Sequence, residues 1–515
     1  MYLFHAISTY QLLEMIVFKT KFHKDDKCVL MITDTVVDKF PAYKKLDSFF
    51  DEIIVYPIAP PPSSKKSLPE NCSSFFDSIF KKHKLSINSF DEIYVGCAHY
   101  YFGIYLASYN IPFVFFEDAA GIQSRWDILV NIEKEKYPIK QRFNLELGLY
   151  DGSNPAVKKI ICNHNSQTDE VKRNTEHFDV VATFLELDES IQNEVREFFI
   201  DIDKIDIPEN ATLFLTQHLA NMQVLSFDDH VLLYQLVFDY FFKDKTVVLK
   251  PHPDDIMHYG ILFPKCQIIR QRFPAEFLPV MFVNKPKEIA TVSSTAIFNL
   301  QNSFDETFFL DTRTEKDFKA LHRYFVALML HEAIAKDASI LQIGVNECII
   351  NELCRANNIT VGDTGNFYII DDIEAGGDFT RENIISLLEN MKPNDSAIFI
   401  NFKNDYCFYD INHKEIFKST IPITIKKRKQ RDDEFYSDTN TETIYFYSKN
   451  EEYRKMAENM ELNKTLENTG LEISLESLTP EQRQIKALEG TLKATEARLL
   501  YYINRVKELE NEGKK

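Results

Sequence analysis

An α/β protein is predicted, with two Rossmann-like parallel-sheet domains in succession, then a third Rossmann-like α/β domain and a C-terminal coiled-coil helix. Three observations predict it. Short apolar runs alternate with amphipathic stretches from the first residues onward, the pattern of βαβ units. The alternation starts afresh near residue 212 and again near residue 339. Beyond Pro480, apolar residues recur at spacings of three and four, as in a heptad seam. The expected divisions are 1–165, 166–315, 316–450 and a helical tail 451–515 with its coiled coil over 481–511.

The first set of strands is expected at Tyr2–Phe4, Val29–Thr33, Glu52–Val55, Glu92–Val95 and Phe113–Phe116. Amphipathic stretches such as Tyr10–Thr20 and Ser73–His83 lie between them as helices. Pro60-Pro61-Pro62-Ser63-Ser64 reads as a stiff loop at the sheet's rim. The second set is Thr212–Thr216, Thr246–Leu249, Gln267–Ile269 and Glu288–Val292, with a well-patterned helix over Asp228–Phe242. The third begins with Ser339–Val345, helical Asn346–Asn357, Ile359–Asp363 and Phe367–Asp371, then a helix over Arg381–Met391 and a basic hairpin. In the tail, Ile485, Leu488, Leu492, Thr495, Leu499, Tyr502, Val506 and Leu509 form the seam. A helix of that length gains most of its stability by burying the seam, either against a second copy, the expected way, or against residues 320–450 of its own chain.

Bulk properties narrow the function. The 515 residues are 44% hydrophobic and 27% charged, as in folded globular chains. A formal charge of −19 argues against general nucleic-acid binding, because no basic field exists to displace counterions. No run approaches the ~18 apolar residues of a membrane span, and M-Y-L-F-H-A-I-S-T-Y lacks the basic start of a signal peptide. Eight scattered cysteines without CxxC spacing read as reduced thiols of a cytoplasmic protein. Lys426, Lys427, Arg428, Lys429 and Arg431 suit either a solvated hairpin or contact with anionic lipid at the cytoplasmic face of the inner membrane.

Three motifs carry the chemistry, each where an apolar strand-like run stops, the edge at which open parallel sheets bind ligands. F-F-E-D-A-A-G supplies Glu117 and Asp118, and a carboxylate there can take a proton from a hydroxyl. The alternative is a helix start decorated with favourable acids. V-L-K-P-H-P-D-D supplies Lys250, His252 and Pro253; prolines on both sides present the imidazole rather than pack it, so that it can donate to a phosphate. Asp254 and Asp255 read as the cap and first turn of the next segment. A-T-V-S-S-T-A supplies Ser293 and Ser294 ahead of a helix expected over Thr295–Leu300, whose free amides would bind the same anion. Thr216 and Gln217 in F-L-T-Q-H-L end the second domain's first strand and are weaker candidates for donor contacts. Asp201-Ile202-Asp203 is the literal D-x-D match but lies away from these motifs, so no metal ligands are expected.

The order and wording of these motifs resemble bacterial sialyltransferases of the lipooligosaccharide sialyltransferase and capsule polysialyltransferase group. Their marks are an acidic pair followed by Gly, a His-Pro and a Ser-Ser; the resemblance covers roughly residues 1–312. It implies the GT-B architecture and an inverting, metal-independent transfer of a nonulosonic acid from a CMP-activated donor, most simply CMP-sialic acid. The acceptor would be a surface glycan such as lipooligosaccharide or capsule. By resemblance Asp118 is the base, although Ala119 and Ala120 intervene before Gly121 where the family has none. R-F-P-A-E-F-L, with Glu276, also resembles the family and would meet the donor's ribose or cytosine. Residues 320–450 resemble a degenerate class I methyltransferase domain: Arg381–Met391 through the basic hairpin is similar to its back half, whereas the front half departs, with the glycine loop reduced to Gly344. The rival readings are a transferase using CMP-Kdo or CDP-glycerol, a non-catalytic glycan-assembly protein, and a bifunctional sialyltransferase–methyltransferase.

Overall fold

The computed structural model describes residues 1–310, 327–344, 347–371, 381–400, 416–428 and 435–459, apart from 41, 201–203, 209, 221–224, 226, 243–244, 256, 258, 329, 333, 336–337 and 363–365. The expected coiled coil, the D-x-D match, Lys429 and Arg431 lie outside these residues. The chain divides into two compact units. One is Met1–Glu209 with Arg270–Pro286 and Thr295–Glu306; the other is Asn210–Ile269 with Lys287–Ser294 and Thr307–Lys515.

The first unit is built on a seven-stranded, wholly parallel sheet: β1 (Tyr2–Ala6), β2 (Cys28–Thr33), β3 (Glu52–Tyr56), β4 (Glu92–Gly96), β5 (Phe113–Phe116), β6 (Val157–Cys162) and β7 (Glu176–His177). Their order is β3-β2-β1-β4-β5-β6-β7. Strands β2 and β5, C-V-L-M-I-T and F-V-F-F, are buried along their whole length, which is why they are continuous apolar runs rather than alternating ones. The order reverses between β1 and β4, the switch point at which such sheets open a crevice beyond their carboxyl ends. Helix α1 (Thr9–Phe22) follows β1 directly, and its N-cap Ser8 accepts the Gln11 N–H. Helix α2 (Leu68–Lys82) opens with a Ser67–Glu70 capping box and Pro69 in its first turn, a start earlier than its amphipathic stretch alone implies.

Strands β6 and β7 extend this sheet past the five predicted strands. Lysines interrupt the apolar run of V-K-K-I-I-C, because Lys159 pairs with Glu176 and Lys158 with Glu92 near the sheet's margin. The second sheet begins at Ala211, and residues 166–199 group with the first unit.

Helix α3 (Tyr101–Ser108) sets a packing limit. A Cβ on Gly103 would lie 1.8 Å from the Ala98 carbonyl oxygen and 2.6 Å from its carbon. Backbone cannot yield as a side chain can, so Gly103→Ala is expected to destabilise the unit by ~3 kcal/mol. Thermal unfolding should register a fall of roughly 6–12 °C; an unchanged midpoint would mean that the helix can shift freely.

The second unit holds two sheets. Strands β8 (Ala211–Leu215), β9 (Thr246–Lys250), β10 (Gln267–Ile268), β11 (Glu288–Thr291) and β12 (Glu306–Phe309) lie in the order β10-β9-β8-β11-β12. Strands β8 to β11 pair in parallel, and helix α4 (Phe227–Phe241) follows β8. The other sheet has β13 (Ile340–Gly344), β14 (Phe367–Asp371), β15 (Ser396–Ile400), β16 (Ile416–Arg428) and β17 (Phe435–Ser448) in the order β13-β14-β15-β17-β16. β17 runs antiparallel to both its neighbours. The strand expected at Ile359–Asp363 is a single bridge from Val361 to Ile340. One continuous core joins Phe214, Tyr234 and Phe242 to Ile340, Leu353, Phe367 and Phe446. The third sheet therefore buries residues of one face in a core that it shares with the second.

Candidate active site

The acidic motif divides its two carboxylates between different tasks. Where β5 ends, successive side chains of extended backbone point opposite ways. Glu117 turns into the unit and is fully buried. Its Oε1 accepts the Asn163 N–H at 2.8 Å and its Oε2 accepts Gln167 Nε2 at 2.7 Å; the Gly121 and Gln123 N–H groups donate as well. Burial pushes its carboxyl up to about 8, against these four donors that pull it down. Gly121 makes the turn possible: its φ is +79°, the left-handed region that glycine adopts without strain.

Asp118 remains half-buried. Its Oδ1 accepts Gln11 Nε2 at 2.7 Å, and the Cys97 thiol also bonds it. Burial raises its pKa above the ordinary value, while Cys97, Lys140 and Gln11 act to lower it. Cys97 follows β4 in the left-handed conformation, φ +63°, uncommon for a residue with a side chain and the kind of strain that collects at functional edges. Behind this pair Lys140 Nζ lies 2.5 Å from Glu133 Oε1 and 4.0 Å from the centre of the Tyr100 ring. Glu133 Oε2 accepts the Tyr150 hydroxyl at 2.6 Å and Asn144 Nδ2 at 3.2 Å. His99 is buried as the neutral ring; burial takes its pKa down to about 3 and Lys140 adds to this.

Cys97, His99 and Asp118 form the one grouping among the described residues whose possible ligand atoms lie within 4.8 Å of one another. The charge of Lys140 acts on all three, and an ammonium in that position opposes a divalent cation.

Glu276 is not on the second unit's sheet. The segment Arg270–Pro286 returns to the first unit, where Glu276 is 6% exposed and its Oε1 accepts Asn299 Nδ2 at 3.2 Å. Asn299 also accepts Asn163 Nδ2 at 2.9 Å and bonds Tyr10, which in turn bonds Glu14. Glu14, Glu117 and Glu276, from three distant parts of the chain, thus share one buried polar network. Burial, and next the charge of Glu117, raise Glu14 well above the usual carboxylate range, so the group retains protons that separated acids would lose. This network ties the returning segments to the first unit, and the geometry leaves Glu276 little surface for a nucleotide.

In the second unit the histidine motif is held by the end of β8. Thr216 Oγ1 accepts the His252 N–H at 3.1 Å and donates to Asp255 Oδ2 at 3.5 Å. The Asp254 N–H donates to His252 Nδ1 at 3.2 Å, so the neutral ring carries its proton on Nε2 and can present an N–H donor there. Asp255 accepts the Met257 N–H and the Tyr259 hydroxyl, the capping task its position suggests. Gln217 is anchored by Tyr234, whose hydroxyl accepts the Gln217 N–H at 2.7 Å and donates to its carbonyl at 3.1 Å. Lys250 is not a surface lysine; it is 4% exposed, with Nζ 3.4 Å from the Pro251 carbonyl. Pro253 lies in the turn after His252 and is half-buried.

The serine motif stands between β11 and a short helix. The helix after it runs over Ile297–Leu300 and continues as a 3-10 turn over Gln301–Ser303. The Ser294 N–H bonds Thr291 Oγ1 at 2.9 Å, and that hydroxyl bonds the Leu215 carbonyl at 2.8 Å, joining β11 to β8. Ser293 Oγ is buried without a hydrogen-bond partner among the described residues. His218 was missed. Its ring stacks on His252 with centres 4.0 Å apart and planes at 27°, and its position directly after Gln217, in the loop that follows β8, was the available signal.

Two Rossmann-like parallel sheets in one chain, each gathering ionisable side chains at its strands' carboxyl ends, are the elements of the GT-B architecture. Residues 65–311 match the profile of glycosyltransferase family 52. An uncharacterized protein of Haemophilus influenzae is 29% identical over 147 residues, which is 28% of this chain and 47% of that protein. The chain thus spans about half the length of that relative. Among solved structures, the chain is similar to an α/β-galactoside α-2,3-sialyltransferase of Photobacterium phosphoreum: 14% identity, 60% of this chain and 90% of that one, TM-score 0.39. It is also similar to a UDP-GlcNAc 2-epimerase of Methanocaldococcus jannaschii, with 13% identity, 62% and 87% coverage and a TM-score of 0.38.

Proposed function

We propose that the protein is an inverting glycosyltransferase that moves a nonulosonic acid, most simply sialic acid, from a CMP-activated donor to a bacterial surface glycan, without a catalytic metal. The observation that carries this reading is the division of the acidic pair. Glu117 has both oxygens engaged in the interior, whereas Asp118 stays partly exposed at the strand's carboxyl end. In this reading Asp118 takes the acceptor hydroxyl's proton as the new glycosidic bond forms and the bond to CMP breaks. Glu117 holds the loop that carries it. In the second unit His252 Nε2–H donates to the departing phosphate, with Thr216 fixing its backbone. Lys250 adds positive charge, and Ser293 and Ser294 offer hydroxyls. Glu276 is a support of the first unit in this scheme.

Incubation with CMP-sialic acid and a panel of labelled glycans, followed by mass spectrometry, tests the reading. A gain of one sialyl unit supports it. Turnover only with CMP-Kdo or CDP-glycerol would overturn the donor, and CMP binding without turnover of any donor would overturn the enzyme. The tail is proposed to make the protein a homo-oligomer. Removal of 481–515 should lower the particle mass in light scattering; an identical mass would reject self-association.

A further inference from the structure

We infer that Gln11 is a positioning residue for Asp118, fixing which of its oxygens accepts and holding the other toward the acceptor hydroxyl. The inference rests on Asp118 being the base. Gln11 is the third residue of α1 and is fully buried. Its amide cannot be turned round. Oε1 accepts the Ile7 N–H at 2.9 Å, and a backbone N–H has nothing to accept with, so the oxygen end must face Ile7. Nε2 then faces Asp118 Oδ1 at 2.7 Å and can only donate. Its own backbone is held by the Ser8 cap.

Gly96, the last residue of β4, makes room for this side chain. A Cβ there would lie 2.9 Å from Gln11 Oε1, 3.0 Å from Cδ and 3.1 Å from Cγ. Three adjacent strands thus contribute at their carboxyl ends: β1 leads into Ile7 and Gln11, β4 supplies Gly96, and β5 supplies Asp118. A donor locked onto Oδ1 favours the ionised carboxylate and opposes the effect of burial. The Cys97 thiol bonds the same carboxylate, and in this inference the incoming hydroxyl meets the oxygen that Gln11 does not hold. The other groups acting on Asp118 are Cys97 after β4, Tyr100 at the head of α3, Glu14 on α1, and Glu133 and Lys140 from Trp126–Lys136 and Pro138–Glu146.

Gln11→Glu is the test, because it keeps an acceptor for Ile7 and replaces only the donor. In the variant, two carboxyl groups meet at hydrogen-bond distance and share a proton. With CMP-sialic acid as donor, kcat at pH 7 should fall ~10–100-fold, recover as the pH rises, and leave the donor KM unchanged. The pair's raised pKa means that its protonated form favours folding. Its stability contribution should be lost as the pH rises through that pKa, so the Tm deficit relative to the parent protein should widen between pH 5 and pH 8. That second readout needs no substrate. A constant Tm difference would overturn the contact itself. A widening difference with an unchanged pH–rate profile would reduce Gln11 to scaffolding and overturn the inference. Asp118→Asn, assayed alongside, separates the two readings: full activity in that variant removes the base and this inference with it, whereas loss of activity there with an unaltered Gln11→Glu profile removes the inference alone.

Discussion

Asp118→Asn is expected to lower sialyl transfer by roughly 10²–10⁴-fold, the usual cost of losing a general base, while CMP binding stays nearly intact. Asparagine keeps the shape and still accepts from Gln11 Nε2 through its amide oxygen, so the fold should survive. What it loses is the second oxygen's capacity to take a proton. The parent enzyme should lose activity as the pH falls, because protonated Asp118 is inactive. That acid limb should lie above the ordinary aspartate range, since burial is the largest influence on this group. Glu117→Gln makes the contrast. It disturbs a buried acceptor of four hydrogen bonds and should lower stability more than it alters the pH profile. Steady-state kinetics and calorimetric CMP titration of both variants measure the difference. A crippled Glu117→Gln beside an active Asp118→Asn would reverse the two roles.

His252→Ala should weaken both turnover and CMP affinity, with turnover falling by ~10²-fold or more. A donor aimed at phosphate contributes in the ground state and contributes more as charge develops on the leaving group. The ring's orientation is already prepared: the Asp254 N–H occupies Nδ1, which leaves the proton on Nε2. His218 is the control. It stacks on His252, so His218→Ala should loosen the ring and reduce both quantities less than loss of His252 does. Unchanged kinetics and CMP affinity in His252→Ala would remove the phosphate assignment from this motif.

Much of the scaffold was legible because it is local. Buried parallel strands must be continuous apolar runs, and V-L-M-I-T, F-V-F-F and T-V-V-L-K disclosed β2, β5 and β9 almost to the residue. Strand β6 escaped because its lysines belong to ion pairs with Glu92 and Glu176, partners 66 and 17 residues away. Prolines beside His252 and glycine at 121 likewise act on their own backbone and announce turns wherever the chain folds.

The placement of the acids was not local. By itself the sequence determined that an acidic pair, a proline-flanked histidine and a serine pair each stand at a strand's end. Tertiary structure decided that Glu117 turns inward to Asn163 and Gln167 while Asp118 meets Gln11, and that Glu276 joins Glu14 and Asn299 in the first unit. The physical reason is the same in each case. A strand's burial and a turn's dihedral angles are set by a few neighbouring residues, whereas a carboxylate's role is set by which donors reach its two oxygens. Here those donors arrive from 46, 50 and 107 residues away, across a strand order that only the folded sheet establishes.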